Sequence, residues 1–278
     1  MQKMNKANYI PTGSYGILRQ ELSHSTLDQV AEQIKILGYA VLDSGYSFDQ
    51  LQKISTEFDR LRQIYLNTFN EHTLKKIGEF HTIRSPLTLD GNFFLDLVFN
   101  ENLLSLLKKI IPGKFILNQQ NGIINPPQEP YNQGLWHRDL PYQHFVSSTP
   151  LALNALFCVD DFTFENGGTF VLAGTHKNEA LPSQQYIQKN AIQIQAKAGS
   201  FIVLDCMLFH AGGFNKTNSA RRAVNHIFNI PFFKQQINIP ANINKMNLSP
   251  EAKDILGFNF VEPVSISDYL STRANKNY

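Results

Sequence analysis

Apolar residues in the first third of the chain recur at intervals of three and four, the period of a helix with one buried face. Leu27, Val30, Ile34 and Leu37 share such a face over 27–38, and Gly38 supplies a stop. The next segment, YAVL at 39–42, predicts a short strand. Over 48–69 the series Leu51, Ile54, Phe58, Leu61 and Ile64 predicts a long amphipathic helix. A third helix is expected at 100–111, stopped by Pro112-Gly113.

After Gly113 the pattern changes to short apolar runs between turns. Strands are expected within 114–127, within 149–162 (one strand or a pair), around the TFVL of 169–172, and from Arg221 towards 233. The stretch 191–213 should hold a short alternating strand, a turn at Ala198-Gly199 and an apolar strand ending at His210. A short helix is expected near 265–273. Helices first and strands later predict a mainly β sandwich or barrel with flanking helices. No repeat or long linker interrupts the pattern. A single domain over 1–278 is expected, helical to about 113 and with its β core at about 114–233.

Composition narrows this further. With 278 residues, 42% of them hydrophobic, the chain can bury a sizeable core. It has no run of about 18 apolar residues, so no membrane-spanning helix is expected. The opening MQKMNKANYIPTGSYG lacks the continuous apolar stretch of a signal peptide. Cys158 and Cys206 both lie in apolar runs and read as buried free thiols in a reducing compartment, hence a cytoplasmic protein. The formal charge is only +2 and the basic residues are scattered, with no stripe to follow a phosphate backbone. Neither nucleic acid nor membrane is an expected partner, and no pattern sets the oligomeric state.

Candidate chemistry centres on Trp136-His137-Arg138-Asp139. On a strand, His137 and Asp139 would point to the same side. His210 ends a separate apolar run, 210 − 137 = 73 residues on. Two imidazoles and a carboxylate can hold one face of a ferrous ion and leave the opposite positions open for oxygen chemistry. The same residue types also serve zinc hydrolysis, and an isolated His-x-Asp is more often a hydrogen-bonded surface pair. Arg221, beyond a glycine-rich segment, could return towards the metal on a strand adjacent to that of His210 and pair bidentately with a carboxylate. Arg222 should face the other way. Thr217 and Ser219 read as turn residues.

Taken in order, GYAVLD (38–43), INPP (124–127), WHRDLPY (136–142), ENGGTFVLAGTHK (165–177), GSFIVLD (199–205) and HAGGFNKTNSARRA (210–223) resemble the phytanoyl-CoA dioxygenase family of iron(II)- and 2-oxoglutarate-dependent oxygenases. The resemblance implies a double-stranded β-helix, the cupin-like jelly roll, with helices outside its major sheet. It makes His137, Asp139 and His210 the iron ligands and Arg221 the partner of the distal 2-oxoglutarate carboxylate. Asn154 and Thr169 fall in regions that approach the cosubstrate. Ala173 stands where a proline is common before the turn glycine, and His176 reads as a structural turn residue. The implied reaction consumes dioxygen and 2-oxoglutarate, yields succinate and carbon dioxide, and hydroxylates a small organic substrate. Related halogenases replace the carboxylate ligand with a small residue, so Asp139 favours hydroxylation.

Substrate signals are weaker. The segment 76–87 could form a lid carrying His81 and Arg84, or an ordinary exposed loop. Pro141, Tyr142 and Phe145 could give apolar pocket walls, and His144 could line the cavity or its rim. Two other readings stay open: a cupin-like metalloenzyme that does not use 2-oxoglutarate, and an inactive jelly-roll binding module. In the first of these, Arg221 should face solvent.

Overall fold

The computed structural model describes residues 11, 13–19, 25–89, 93–140, 145–243 and 248–274. Pro141, Tyr142 and His144, considered above as pocket residues, lie outside the described residues. Among those described, no helix is long and apolar enough to cross a membrane.

The helical periodicity translates into α1 (Thr26–Leu37), capped by the Ser25 side chain, and α2 (Phe48–Phe69), which starts in a Ser47/Gln50 capping box. Gly38 ends α1 at φ 84°, a left-handed conformation that a side chain would resist. Two short helices that the periodicity did not predict follow, α3 (Glu71–Lys76) and α4 (Leu95–Val98). They are too short to display a helical repeat. The expected third helix is α5 (Glu101–Ile110).

The strands are β1 (Tyr39–Asp43), β2 (Thr82–Arg84), β3 (Ile116–Asn125), β4 (Ala152–Cys158), β5 (Phe170–Val171), β6 (Ile192–Gln193), β7 (Ser200–Asp205), β8 (His210–Ala211) and β9 (Arg221–Asn229). They form an antiparallel six-stranded sheet in the order β1-β7-β4-β9-β3-β2 and a smaller sheet in the order β6-β5-β8. Helices pack outside the larger sheet, giving the expected cupin-like jelly roll. The C-terminal helix is Ile266–Ala274.

Strand alternation sorts the side chains of the large sheet between two cores. Leu153, Ala155, Phe157, Phe201, Val203, Val224 and Phe228 pack with Ile34, Phe58, Leu61 and Leu107 of the helices. Their strand neighbours Leu156, Cys158, Ile202, Leu204 and Ala223 face inward, with Phe162, Val171 and Ile194. A sheet covered on both faces is why β4 and β7 read as continuous apolar runs rather than alternating ones.

Three expectations need correction. The apolar run of 200–210 is not one strand. β7 stops at Asp205, whose side chain accepts the Met207 N–H at 2.9 Å in a turn closed by Leu208 N–H to Asp205 O, and His210 begins β8 in the other sheet. The strands carrying His210 and Arg221 are accordingly not adjacent, because the segment between them crosses from the small sheet to the large one. The segment 76–87 is neither lid nor open loop, since it contributes β2, paired with β3.

Candidate metal centre and active site

His137 lies in no strand of its own. It forms a single bridge with His210, His137 N–H to His210 O at 3.0 Å and the reverse bond at 3.1 Å. Two residues on, Asp139 N–H donates to Cys206 O at 3.0 Å. This short extended stretch puts His137 and Asp139 on one side, as expected, and brings His210 to the same point. Arg138 points away. Its guanidinium donates to the carbonyls of Thr175, Asn178 and Glu179 and lies over the Phe209 ring, 3.9 Å from the centroid. It anchors the stretch that carries His137 and Asp139 to the turn at 175–179, a role with no local signal in the sequence.

The donor atoms of His137, Asp139 and His210 lie within 4.8 Å of one another. His210 Nε2 is 3.6 Å and His137 Nε2 is 3.9 Å from Asp139 Oδ1. Each imidazole uses Nδ1 to bond a backbone carbonyl two residues earlier, Leu135 O at 2.7 Å for His137 and Leu208 O at 3.0 Å for His210. A ring that donates from Nδ1 keeps its lone pair on Nε2, so both lone pairs face the carboxylate. Asn154 donates to Asp139 Oδ2 at 2.8 Å, which leaves Oδ1 for the same point. Burial, with His210 beside it, holds the His137 pKa below its ordinary value against the pull of Asp139. Burial acts the same way on His210, but the Asp139 carboxylate outweighs it and raises the pKa. Two imidazole nitrogens and one carboxylate oxygen, converging from one side, fit a first-row divalent ion with open positions opposite.

Arg221 opens into the same cavity, which measures about 250 Å³ and is also lined by Tyr131, Asn154 and Thr169. It is only 3% exposed. One guanidinium nitrogen donates to Gly167 O at 2.7 Å, another reaches the Tyr131 hydroxyl at 3.4 Å, and the group stacks on Phe162 at 3.8 Å. Among the described residues Nε has no hydrogen-bond partner and no carboxylate pairs with Arg221. Gly167, at φ 77°, lets its turn lie against Gly213, where a Cβ would strike the Gly213 carbonyl.

Arg222 differs in every respect. It faces the helices, where Asp160, Asp59 and Ser55 engage its guanidinium. Alternation along β9 therefore separates the two arginines as the sequence suggested.

Thr169 and Asn154 both line the cavity, Asn154 with its amide committed to Asp139. Tyr131, in an irregular loop, was missed, and only its three-dimensional approach to Arg221 reveals it. Of the segment 76–87, Arg84 reaches the cavity, whereas His81 lies in a separate apolar groove with Phe58 and Phe80. Phe145 packs against the cluster of Leu140, Ala152 and Met207. His176 is buried away from the cavity, bonding Lys35 O, and Thr217 and Ser219 bond within their own turn. Both cysteines are free and buried.

A jelly roll enclosing a His-Asp-His cluster defines a class of metal-dependent oxygenases, and comparison with known proteins agrees. The sequence profile described as Phytanoyl-CoA dioxygenase (PhyH) matches residues 37–223, and the chain belongs to that family. An uncharacterized protein of Mycobacterium tuberculosis, Rv1501, is 32% identical over 220 residues, covering 77% of this chain and 80% of its own. Ectoine dioxygenase of Stutzerimonas stutzeri is 23% identical over 247 residues, covering 77% and 80%. The crystal structure of EctD from S. alaskensis with 2-oxoglutarate and 5-hydroxyectoine has the same fold, with a TM-score of 0.63 at 18% identity over 75% of this chain and 78% of that one.

Proposed function

We propose that the protein is an Fe(II)- and 2-oxoglutarate-dependent dioxygenase that hydroxylates an unactivated carbon of a small organic metabolite. In this reading His137, Asp139 and His210 hold the iron, and Arg221 holds the distal carboxylate of 2-oxoglutarate. The observation that carries it is the Arg221 guanidinium, buried without a carboxylate among the described residues and opening into the cavity that holds the three donors. A buried cation without a counter-ion is costly, and an anionic cosubstrate removes that cost. Its burial also argues against the readings in which Arg221 is a solvent-facing charge.

Bound iron, with 2-oxoglutarate and dioxygen, supplies the oxidising chemistry, giving succinate, carbon dioxide and a hydroxylated product. The chain supplies position and environment. Leu135 O and Leu208 O fix the imidazoles with Nε2 forward, and Asn154 keeps one Asp139 oxygen occupied so that the other serves the metal. Gly167 O and the Tyr131 hydroxyl hold the guanidinium plane in place for bidentate pairing. Thr169 offers a hydroxyl to the cosubstrate, while Ile123, Leu156 and Leu204 keep the cavity wall dry between these polar groups. Asp139 retains the carboxylate ligand, which favours hydroxylation over halogenation. The relative crystallised with 2-oxoglutarate supports the choice of cosubstrate.

Anaerobic addition of Fe(II) and 2-oxoglutarate to the folded protein should produce a weak visible metal-to-ligand charge-transfer band. Admission of oxygen should then give succinate. No band with both components in excess would rule the assignment out.

A further inference from the structure

Arg221 and Asn225 lie four residues apart on the same face of β9, about 13 Å along the strand. Arg221 marks one end of the cavity. At the other end the lining changes to carboxamides: Gln119 and Asn121 from β3, Asn225 from β9, and Gln236. Gln119 Nε2 donates to Asn225 Oδ1 at 3.2 Å, and the Asn121 amide lies 3.2 Å from that of Gln236. That bond uses Gln119 Nε2 and Asn225 Oδ1, so the Gln119 oxygen and the Asn225 amide nitrogen are left as one acceptor and one donor side by side on the cavity wall.

The charges at this end cancel. Arg84 is bound bidentately by Glu79, at 2.6 and 2.7 Å, and among the described residues no other charged side chain lines that wall. An ionic substrate group would lose water there without gaining a counter-ion. An alkyl chain would cover the amides and leave them unpaired. A hydroxyl group, at once donor and acceptor, satisfies both members of the Gln119–Asn225 pair.

We propose that the substrate is a neutral, hydroxyl-rich small molecule seated on the carboxamides of Gln119, Asn121 and Asn225, and not an acyl chain or a coenzyme A ester. This rests on the oxygenase reading above, with Arg221 occupied by the cosubstrate.

The test measures succinate formation by the Fe(II)-loaded protein with 2-oxoglutarate. Glucose, trehalose, myo-inositol and adenosine form one set of probes, palmitoyl-CoA, palmitate and L-lysine the other. At least one neutral probe should raise the rate tenfold or more above the substrate-free rate. Asn225→Leu should then raise the KM for that probe at least tenfold, leaving the Kd for 2-oxoglutarate unchanged. Gln119→Leu, on the neighbouring strand, repeats the measurement should the first variant fail to fold. Stimulation confined to the second set, or absent from the first, overturns the proposal, as does an unchanged KM in a folded variant. The charge-transfer band recorded on the same samples separates the two readings. A band with no response to the neutral set defeats the substrate class alone, whereas no band defeats the oxygenase assignment and this proposal together.

Discussion

Asp205 is a carboxylate at the point where the chain leaves the large sheet for the strand that carries His210, and its burial sets up a measurable pH dependence. It is 4% exposed, and no salt-bridge partner exists among the described residues. Burial raises its pKa from 3.8 to about 6, opposed by the Met207 N–H and, at a distance, by Lys177 and Arg138. The folded state therefore binds more protons than the unfolded state between these values, and stability falls as pH rises through the window. A difference of about two units corresponds to a loss of roughly 3 kcal/mol, negligible below about pH 3 and complete by about pH 7. Asp205→Asn keeps an acceptor for the Met207 N–H and removes the charge. Urea unfolding of both proteins at pH 4.5, 6 and 7.5, in chelator so that metal binding does not intervene, gives the comparison. The variant should gain about 2 kcal/mol on the parent between the ends of that range, whatever its offset at low pH. Parallel stability profiles would refute the assignment of a buried, reluctantly ionised carboxylate.

Arg221→Ala should weaken 2-oxoglutarate binding by about 30-fold or more, the 2–5 kcal/mol range of a truncated buried charge pair, with iron binding retained. An unchanged dependence of succinate formation on 2-oxoglutarate would remove Arg221 from its role. Arg222→Ala should leave that dependence alone and cost about 1–3 kcal/mol of stability in denaturant unfolding, because Asp160 loses its partner. His137→Ala should abolish stoichiometric iron binding, read by metal analysis after desalting, while the unfolding transition stays cooperative. Full occupancy in that variant would reassign the ligand.

Much of the site was legible in the sequence because its chemistry sits on short spacings. His137 and Asp139 need only one extended step to converge, and strict alternation turns Arg221 inward and Arg222 outward whatever the surrounding topology. The long helix α2 was legible for the same reason, being about six turns of uninterrupted helix with a capping box. The break at Asp205 was not. Cys206, Met207, Leu208 and Phe209 are as apolar as β7 itself, because the chain crosses between two sheets while remaining in the interior. Tyr131 and Arg138 were also hidden, since one acts from an irregular loop and the other through backbone carbonyls, and neither leaves a periodic trace. The carboxamide wall was visible as residues in β3 and β9, but only the register Asn121 opposite Asn225 gathers it into one surface.

The backbone bridge between His137 and His210 joins segments separated by 210 − 137 = 73 residues. An ion gripped by both rings becomes a cross-link around that loop, reversible without the electron transfer or thiol exchange that a disulfide requires. Such an ion binds the folded chain and not the unfolded one, so at free concentration c it stabilises by RT ln(1 + c/Kd), about 2.7 kcal/mol at a hundredfold excess over Kd. Metal loading would thus act as a fastener for the whole jelly roll, and a chelator would loosen β5, β8 and the turn at 175–179 before it touched the helices. Supply of iron would then govern how long the protein survives proteases as well as whether it can react.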